Sequence, residues 1–361
     1  MPVQYGLADD LRDGESEGRI RRARVNGKEV AEATKPFCST YFQLNVPSRF
    51  AVRFILQLLL AGLVALAALP LCAQDLSPRA YVITPVGFNA ITLTWSYFNG
   101  GVNFNGAVPI TGATGIYNIS SFTYYRSFSF FGRSANIAAS LPYAVGTFQG
   151  ELEQQHRSVY RSGLVDFGLR FSVNLMGGPA MPAEKFAKWK QKVLLGVSLK
   201  IIAPTGQYDP TKLVNWGINR WAFKPEFGYS EQWGNWLVDA YAGAWFYTTN
   251  PASYDVPVPK PQTEQPIGAL EGHLSRNFKF GTWASLDGNF WWGGVTSLSG
   301  IQNLATKQTG SRIGATAAWR FAKHQSLKVS YSNGTYIRFG GNYQVVQVAW
   351  QYSWLGWPKI R

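Results

Sequence analysis

Apolar and polar residues alternate with a period of two through most of the chain beyond residue 80. From Val165 to Leu175 the odd positions read Val165, Phe167, Leu169, Phe171, Val173 and Leu175, and the even ones Asp166, Gly168, Arg170, Ser172 and Asn174. The same pattern separates Val193, Leu195, Val197, Leu199 and Ile201 from Lys192, Leu194, Gly196, Ser198 and Lys200. Near the end, Val346, Val348, Trp350, Tyr352 and Trp354 alternate with Val345, Gln347, Ala349, Gln351 and Ser353. This is the period of a strand with one oily and one polar face. About twelve such strands are predicted, near 87–98, 116–130, 135–147, 163–175, 191–202, 221–230, 236–248, 265–276, 279–292, 311–321, 326–337 and 344–354. Short connections at 131–134, 231–235, 277–279 and 322–325 alternate with longer loops near 99–115, 148–162, 203–220, 249–264, 293–310 and 338–343. The segment 176–190 breaks that alternation, and its MPAEKFAKWKQK suits a short helix.

Strands of roughly 10 residues, even in number, with long loops at one end and short turns at the other, fit a transmembrane antiparallel β-barrel. A soluble β-sandwich also alternates, but its outer faces carry Lys and Glu freely. Here the polar faces are small and mixed, and aromatics cluster at strand ends, as at Trp233, Trp236, Trp291, Trp292 and Trp354. Composition agrees: of 361 residues, 15% are aromatic and 15% charged, with 37 glycines, which excludes a disordered chain.

One uncharged apolar run, Phe54–Leu71, follows Arg49 and Arg53 and leads into Leu71-Cys72-Ala73-Gln74. Basic flank, apolar core and small-residue exit predict a secretory signal over 49–73, cleaved after Ala73, and Pro70 argues against a transmembrane anchor. Residues 1–48, charged and without periodicity, read as an unstructured leader or a mis-assigned start, and 80–354 as the barrel. Both cysteines, Cys38 and Cys72, precede the cleavage point, so the exported chain needs neither disulfide nor thiolate metal site.

The segment Pro182–Asn250 carries a resemblance. Its APTGQYDP (203–210), then Asn215, Gly217, Asn219-Arg220-Trp221 and Lys224-Pro225-Glu226, with Gly163-Leu164-Val165-Asp166 upstream, are similar to the outer-membrane family named for the meta-pathway of phenol degradation. The resemblance extends over about 80–354 and implies a transmembrane barrel and passive uptake of small, aromatic or hydrophobic solutes. Barrels of this kind meet the barrel-assembly machinery through a terminal aromatic. This chain ends Trp357-Pro358-Lys359-Ile360-Arg361, which moves that signal to Tyr352 or Trp354.

The inward faces predict a substrate path of Asp166, Arg170, Lys200, Lys224, Glu226, Asp239, Tyr241, Trp245, Glu271, His273, Arg312 and Arg320. These charges read either as a salt-bridged plug or as a polar conduit. Pro204, Thr205, Gly206, Tyr208 and Asp209, with Pro210, form a stiff Pro- and Gly-bracketed turn suited to gating or to capping. His273 and Ser275 stand two apart on one face, the spacing of an outer-membrane phospholipase pair. That face also carries Glu271, opposite Leu270 and Leu274, and points at the lumen rather than at lipid, so no enzymatic activity is expected. His156, His273 and His324 are scattered, and neither a metal nor a cofactor is expected. The net charge of +14 is spread singly without a nucleic-acid-binding module. Anionic lipopolysaccharide and outer-membrane lipid are its expected partners, with no nucleic acid. The alternative function is a closed structural or adhesive barrel.

Overall fold

The computed structural model describes residues 76–104, 110–152, 154–254 and 258–356, so the predicted leader and signal lie outside the described residues. Thirteen segments form one continuous antiparallel wall: β1 (Phe88–Asn103), β2 (Ile110–Phe130), β3 (Arg133–Leu152), β4 (Gln155–Leu164), β5 (Phe167–Met176), β6 (Val193–Ala203), β7 (Ala222–Trp233), β8 (Trp236–Tyr247), β11 (Ile267–Asn277), β12 (Trp283–Gly293), β15 (Gln308–Arg320), β16 (Gln325–Ile337) and β17 (Gly340–Leu355). β4 and β5 are one strand broken by a bulge, and β17 pairs back onto β1 from Phe88↔Leu355 to Asn103↔Gly340. The result is a closed barrel of twelve strands. Closure leaves no sheet edge, and so no unpaired row of backbone groups facing hydrocarbon.

Side-chain alternation sets what each face meets. On β11, Leu270 and Leu274 are 46% and 42% exposed on the outer wall, while Ala269, Glu271, His273 and Ser275 are buried inside. Leu199, Phe227 and Leu286 repeat the outward pattern. Trp291 departs from the expected girdle. It faces inward and is buried against Ile267, Ala269 and Ile337, whereas Trp292 stays outside.

The bulge sits where Leu141 and Pro142 of β3 oppose three residues, Val165, Asp166 and Phe167. Pro142 has no N–H to give to a ladder, and its carbonyl accepts from Val165 N at 3.0 Å. The extra residue turns the Asp166 carboxylate inward.

The extracellular side is more strand-rich than the sequence suggests. The predicted loops 99–115 and 148–162 are largely continuations of β1–β4, since β2 and β3 run for 21 and 20 residues. Loops 249–264 and 293–310 contribute β9 (Asn250–Ser253), β10 (Lys260–Glu264), β13 (Thr296–Leu298) and β14 (Ile301–Asn303) to a separate four-stranded sheet. On this side, among the described residues, only 204–221 remains a long strand-free connection, between β6 and β7. At the other, periplasmic end, where both ends of the wall lie, the turns are short. There 177–192 contains the one-turn helix α1 (Ala183–Phe186).

The largest difference from expectation lies at the N-terminus. Residues 80–86, counted within the barrel but ahead of its first predicted strand, belong to a segment, 76–87, that runs inside the lumen. Tyr81 and Ile83 are 1% and 2% exposed. The Tyr81 ring lies against the faces of Gly196 and Gly228, on adjacent strands, where any side chain would occupy the ring's own space. Ile83 packs with Leu194, Met181, Phe186 and Trp189, so the α1 connection caps the segment from below.

Candidate functional site

Register places three cations side by side. Arg170 of β5 opposes Lys200 of β6, which opposes Lys224 of β7, and all three point inward. Like charges on one rung repel and need compensation. Lys224 Nζ lies 2.7 Å from both Glu226 Oε2 and Glu271 Oε1, and Arg170 is 3.4 Å from Glu226 Oε1. The Lys200 ammonium stands 5.6 Å from the centre of the Trp245 ring, a cation–π distance. The chain of charges continues along β11: His273 Nε2 is 3.7 Å from Glu271, and His273 Nδ1 donates to Asp287 Oδ1 at 2.9 Å. Thr316 Oγ1 donates to the other Asp287 oxygen at 2.7 Å. Pairing of this kind offsets the cost of burying charge.

The N-terminal segment is tied into the same network. Tyr81 Oη hydrogen-bonds Ser198 Oγ at 2.9 Å and donates to Glu226 Oε1 at 3.1 Å. Ala80 N donates to Tyr241 Oη at 3.0 Å and Arg79 N to Asp239 Oδ2 at 3.3 Å, while the Arg79 guanidinium covers Trp283. Asp239 and Tyr241, predicted as path residues, therefore anchor the segment.

Above it lies a cavity of about 510 Å³. Ser77 and Ala80 form its floor, Trp216 and Ile218 its roof, and the cation rung with Trp245 and Tyr247 its walls. Asp166, Glu226 and Glu271 also line it. Arg312 stands on β15 and donates to Ser332 Oγ at 3.2 Å. Arg320 does not reach the lumen. It keeps the inward phase of β15, but the strand ends there, and its side chain lies exposed beside Gly281 of a periplasmic turn. His273 and Ser275 are sealed inside the wall, with the imidazole committed to Asp287.

The roof shows why the glycines and polar residues of the 203–221 segment are where they are. Asp166 accepts from Gly206 N and Ile218 N, both at 2.7 Å, joining the two ends of the connection. Gly206 and Gly217 meet backbone to backbone, and a Cβ at either would come within 2.8 Å of the other. Asn219 adopts φ +54°, and its amide donates to Asn250 Oδ1 at 2.8 Å. Tyr208 Oη donates to Ala252 O at 2.8 Å. Asp209 and Asn215 lock an outer turn, where Lys212, then Thr211, hold the Asp209 carboxyl below the usual carboxylate range. Pro204 and Thr205 are exposed, and the predicted gate residues Pro204, Thr205, Gly206, Tyr208 and Asp209 do not line the cavity; its roof comes from Trp216 and Ile218, which lie outside that prediction.

Trp216 reaches from this connection to the β2–β3 wall, with its ring 5.6 Å from Tyr117 and 5.7 Å from Phe148. Sequence reasoning passed over Trp216 and Tyr81. Trp216 was recoverable, since it lies between Asn215 and Gly217 of the motif. Tyr81 lies ahead of the first predicted strand, in an Ala-Tyr-Val-Ile run that carries no motif or charge to mark it.

Among solved structures, an outer membrane channel from Pseudomonas putida F1 is similar, with 16% identity, a TM-score of 0.64, and coverage of 78% of this chain and all of that one. The β domain of the Bordetella autotransporter BrkA gives 14% identity and a TM-score of 0.46, over 74% of this chain and all of that one. The outer membrane phospholipase A of Escherichia coli gives 14% and 0.32, over 77% and 94%. No curated protein matches the chain significantly. The fold is that of an outer-membrane barrel, and the protein is placed in the outer membrane of a Gram-negative bacterium. Residues 94–352 match the model of the family described as "Putative MetA-pathway of phenol degradation", and the chain belongs to that family.

Proposed function

We propose that this barrel is a passive channel for small aromatic solutes and that the cavity under Trp216 is their resting point. One observation carries the reading: aromatic faces of Trp216, Trp245 and Tyr247 share a cavity of about 510 Å³ with Arg170 and Lys200. That volume suits a single-ring molecule, and the lining combines apolar area with a few polar groups that orient it. A ring would stack on the aromatic side while its hydroxyl or carboxylate meets the cations. The similar Pseudomonas putida structure, titled an outer membrane channel, supports the class. The reading also gives lipopolysaccharide to exposed extracellular residues such as Arg157, and the barrel-assembly machinery to Tyr352 and Trp354 of β17.

The seated N-terminal segment favours a second reading, a barrel kept closed for a structural role. Liposome permeation separates the two. Purified protein should admit phenol and benzoate faster than empty vesicles do, Trp216→Ala should raise both rates, and Arg170→Ala should lower the benzoate rate more than the phenol rate. Permeation equal to protein-free vesicles for aromatic and aliphatic solutes alike, with no conductance in planar bilayers, would leave only the structural role.

A further inference from the structure

The short turns at the periplasmic end contain an apolar residue in an unexpected conformation. In the β11–β12 turn, Lys279-Phe280-Gly281-Thr282, Phe280 has φ +59° and Gly281 φ +72°. Phe278 N donates to Thr282 O at 2.8 Å. Two positive φ angles define the hairpin turn that favours Asn-Gly, and a bulky ring at its first position is disfavoured. Phe280 is also 85% exposed. Phe131 of the β2–β3 turn has a similar backbone and is 91% exposed, with its ring edge-on to Phe130, which continues to Phe171 on the outer wall. Phe280 instead borders a cleft of about 330 Å³ shared with the β15–β16 turn, lined by Arg320, Phe321, Ala322 and Lys323.

That cleft pairs two exposed rings with two cations. Among the described residues neither Arg320 nor Lys323 forms a side-chain hydrogen bond or an ion pair. The surrounding end of the barrel is basic. Arg133, Lys279 and the four lysines of 185–192 face only Glu184 and Glu231 in the same turns. Trp319 and Phe278, beside the cleft on the outer wall, are exposed toward lipid. A ligand that fits carries a phosphate anion for the cations and an apolar chain continuous with the bilayer for the rings.

We propose that the cleft formed by Phe280, Arg320, Phe321 and Lys323 binds the headgroup phosphate of an anionic phospholipid of the inner leaflet. Clustered Lys and Arg at a membrane surface attract anionic lipid, and interfacial aromatic rings seat beside headgroups.

Native mass spectrometry of the full chain in detergent micelles tests this. With equal phosphatidylglycerol and phosphatidylethanolamine present, the wild type should retain phosphatidylglycerol preferentially. Replacing each cation should weaken retention roughly fivefold, so Arg320→Gln with Lys323→Gln should abolish the preference. Phe280→Asn suits the turn better than Phe, and should hold or raise the thermal midpoint without lipid while lowering phosphatidylglycerol retention. That opposite movement separates lipid binding from a structural role, and heat-modifiable gel migration confirms that each variant is folded. Equal retention of both lipids, or an unchanged preference in the double variant, would overturn the site. Inorganic phosphate that displaces phosphatidylglycerol at millimolar concentration would assign the cleft to free phosphate instead.

Discussion

Replacing Gly228 by Ala should loosen the N-terminal segment from the lumen without touching that segment's own sequence. The Gly228 face is covered by the Tyr81 ring, so the added methyl and the ring cannot coexist. The ring cannot slide aside cheaply. It is 1% exposed, its hydroxyl is held by Ser198 and Glu226, and the Tyr241 ring meets it edge-on at 5.1 Å. Displacing it forfeits the burial of a large aromatic side chain, about 3–4 kcal/mol by analogy with aromatic-to-Ala changes in cores. Each 1.4 kcal/mol is tenfold, so the unseated population should rise by roughly two to three orders of magnitude. The wall should remain closed, because its β1–β17 and neighbouring ladders do not depend on Tyr81. Single-channel recording should show larger or more frequent openings for Gly228→Ala, and limited proteolysis should cut within 76–87. Tyr81→Ala should produce the same change, and adding Gly228→Ala to it should produce almost no more, since the clash is already gone. Gly228→Ala behaving as wild type in both assays would refute the seating. Additive effects in the double variant would refute the contact as its cause.

Two further outcomes follow from the same geometry. Asp166→Ala removes the acceptor shared by Gly206 N and Ile218 N and should destabilise the roof by about 2–4 kcal/mol, taking charged hydrogen bonds at roughly 1.5–3 kcal/mol each with partial replacement by water; hydrogen exchange at those two amides should accelerate while the wall amides stay protected, and unchanged exchange would show that the carboxylate is not the clasp. Val197→Arg on the lipid face should cost about 2–4 kcal/mol near the bilayer midplane, read as a lower heat-modification midpoint, whereas a water-soluble thiol reagent should label Ser198→Cys faster than Val197→Cys; the reverse order would invert the phase of β6.

The alternation of Val193 to Ile201 against Lys192 to Lys200, with its counterparts along the chain, was enough to specify the barrel and the direction each face looks. A strand's phase is a local property, since consecutive Cβ atoms must point to opposite faces and only one face can meet lipid. The fate of Asp166 was not legible that way. Its phase was evident, but its role depends on two amides 40 and 52 residues away that come to one point only when the 204–221 connection folds back. Arg320 shows the limit from the other side, because parity continues to the last residue of a strand while the lumen does not. Residues 76–87 lay furthest from view: Tyr81-Val82-Ile83 has the composition of a strand, yet the wall was already complete. What seats it is a slot between Gly196 and Gly228 on neighbouring strands, a shape that exists only once the sheet has closed. The sequence by itself determined the wall, because periodicity and lipid act residue by residue. The tertiary structure alone decided what fills the lumen, because that depends on the space left between side chains distant in the chain.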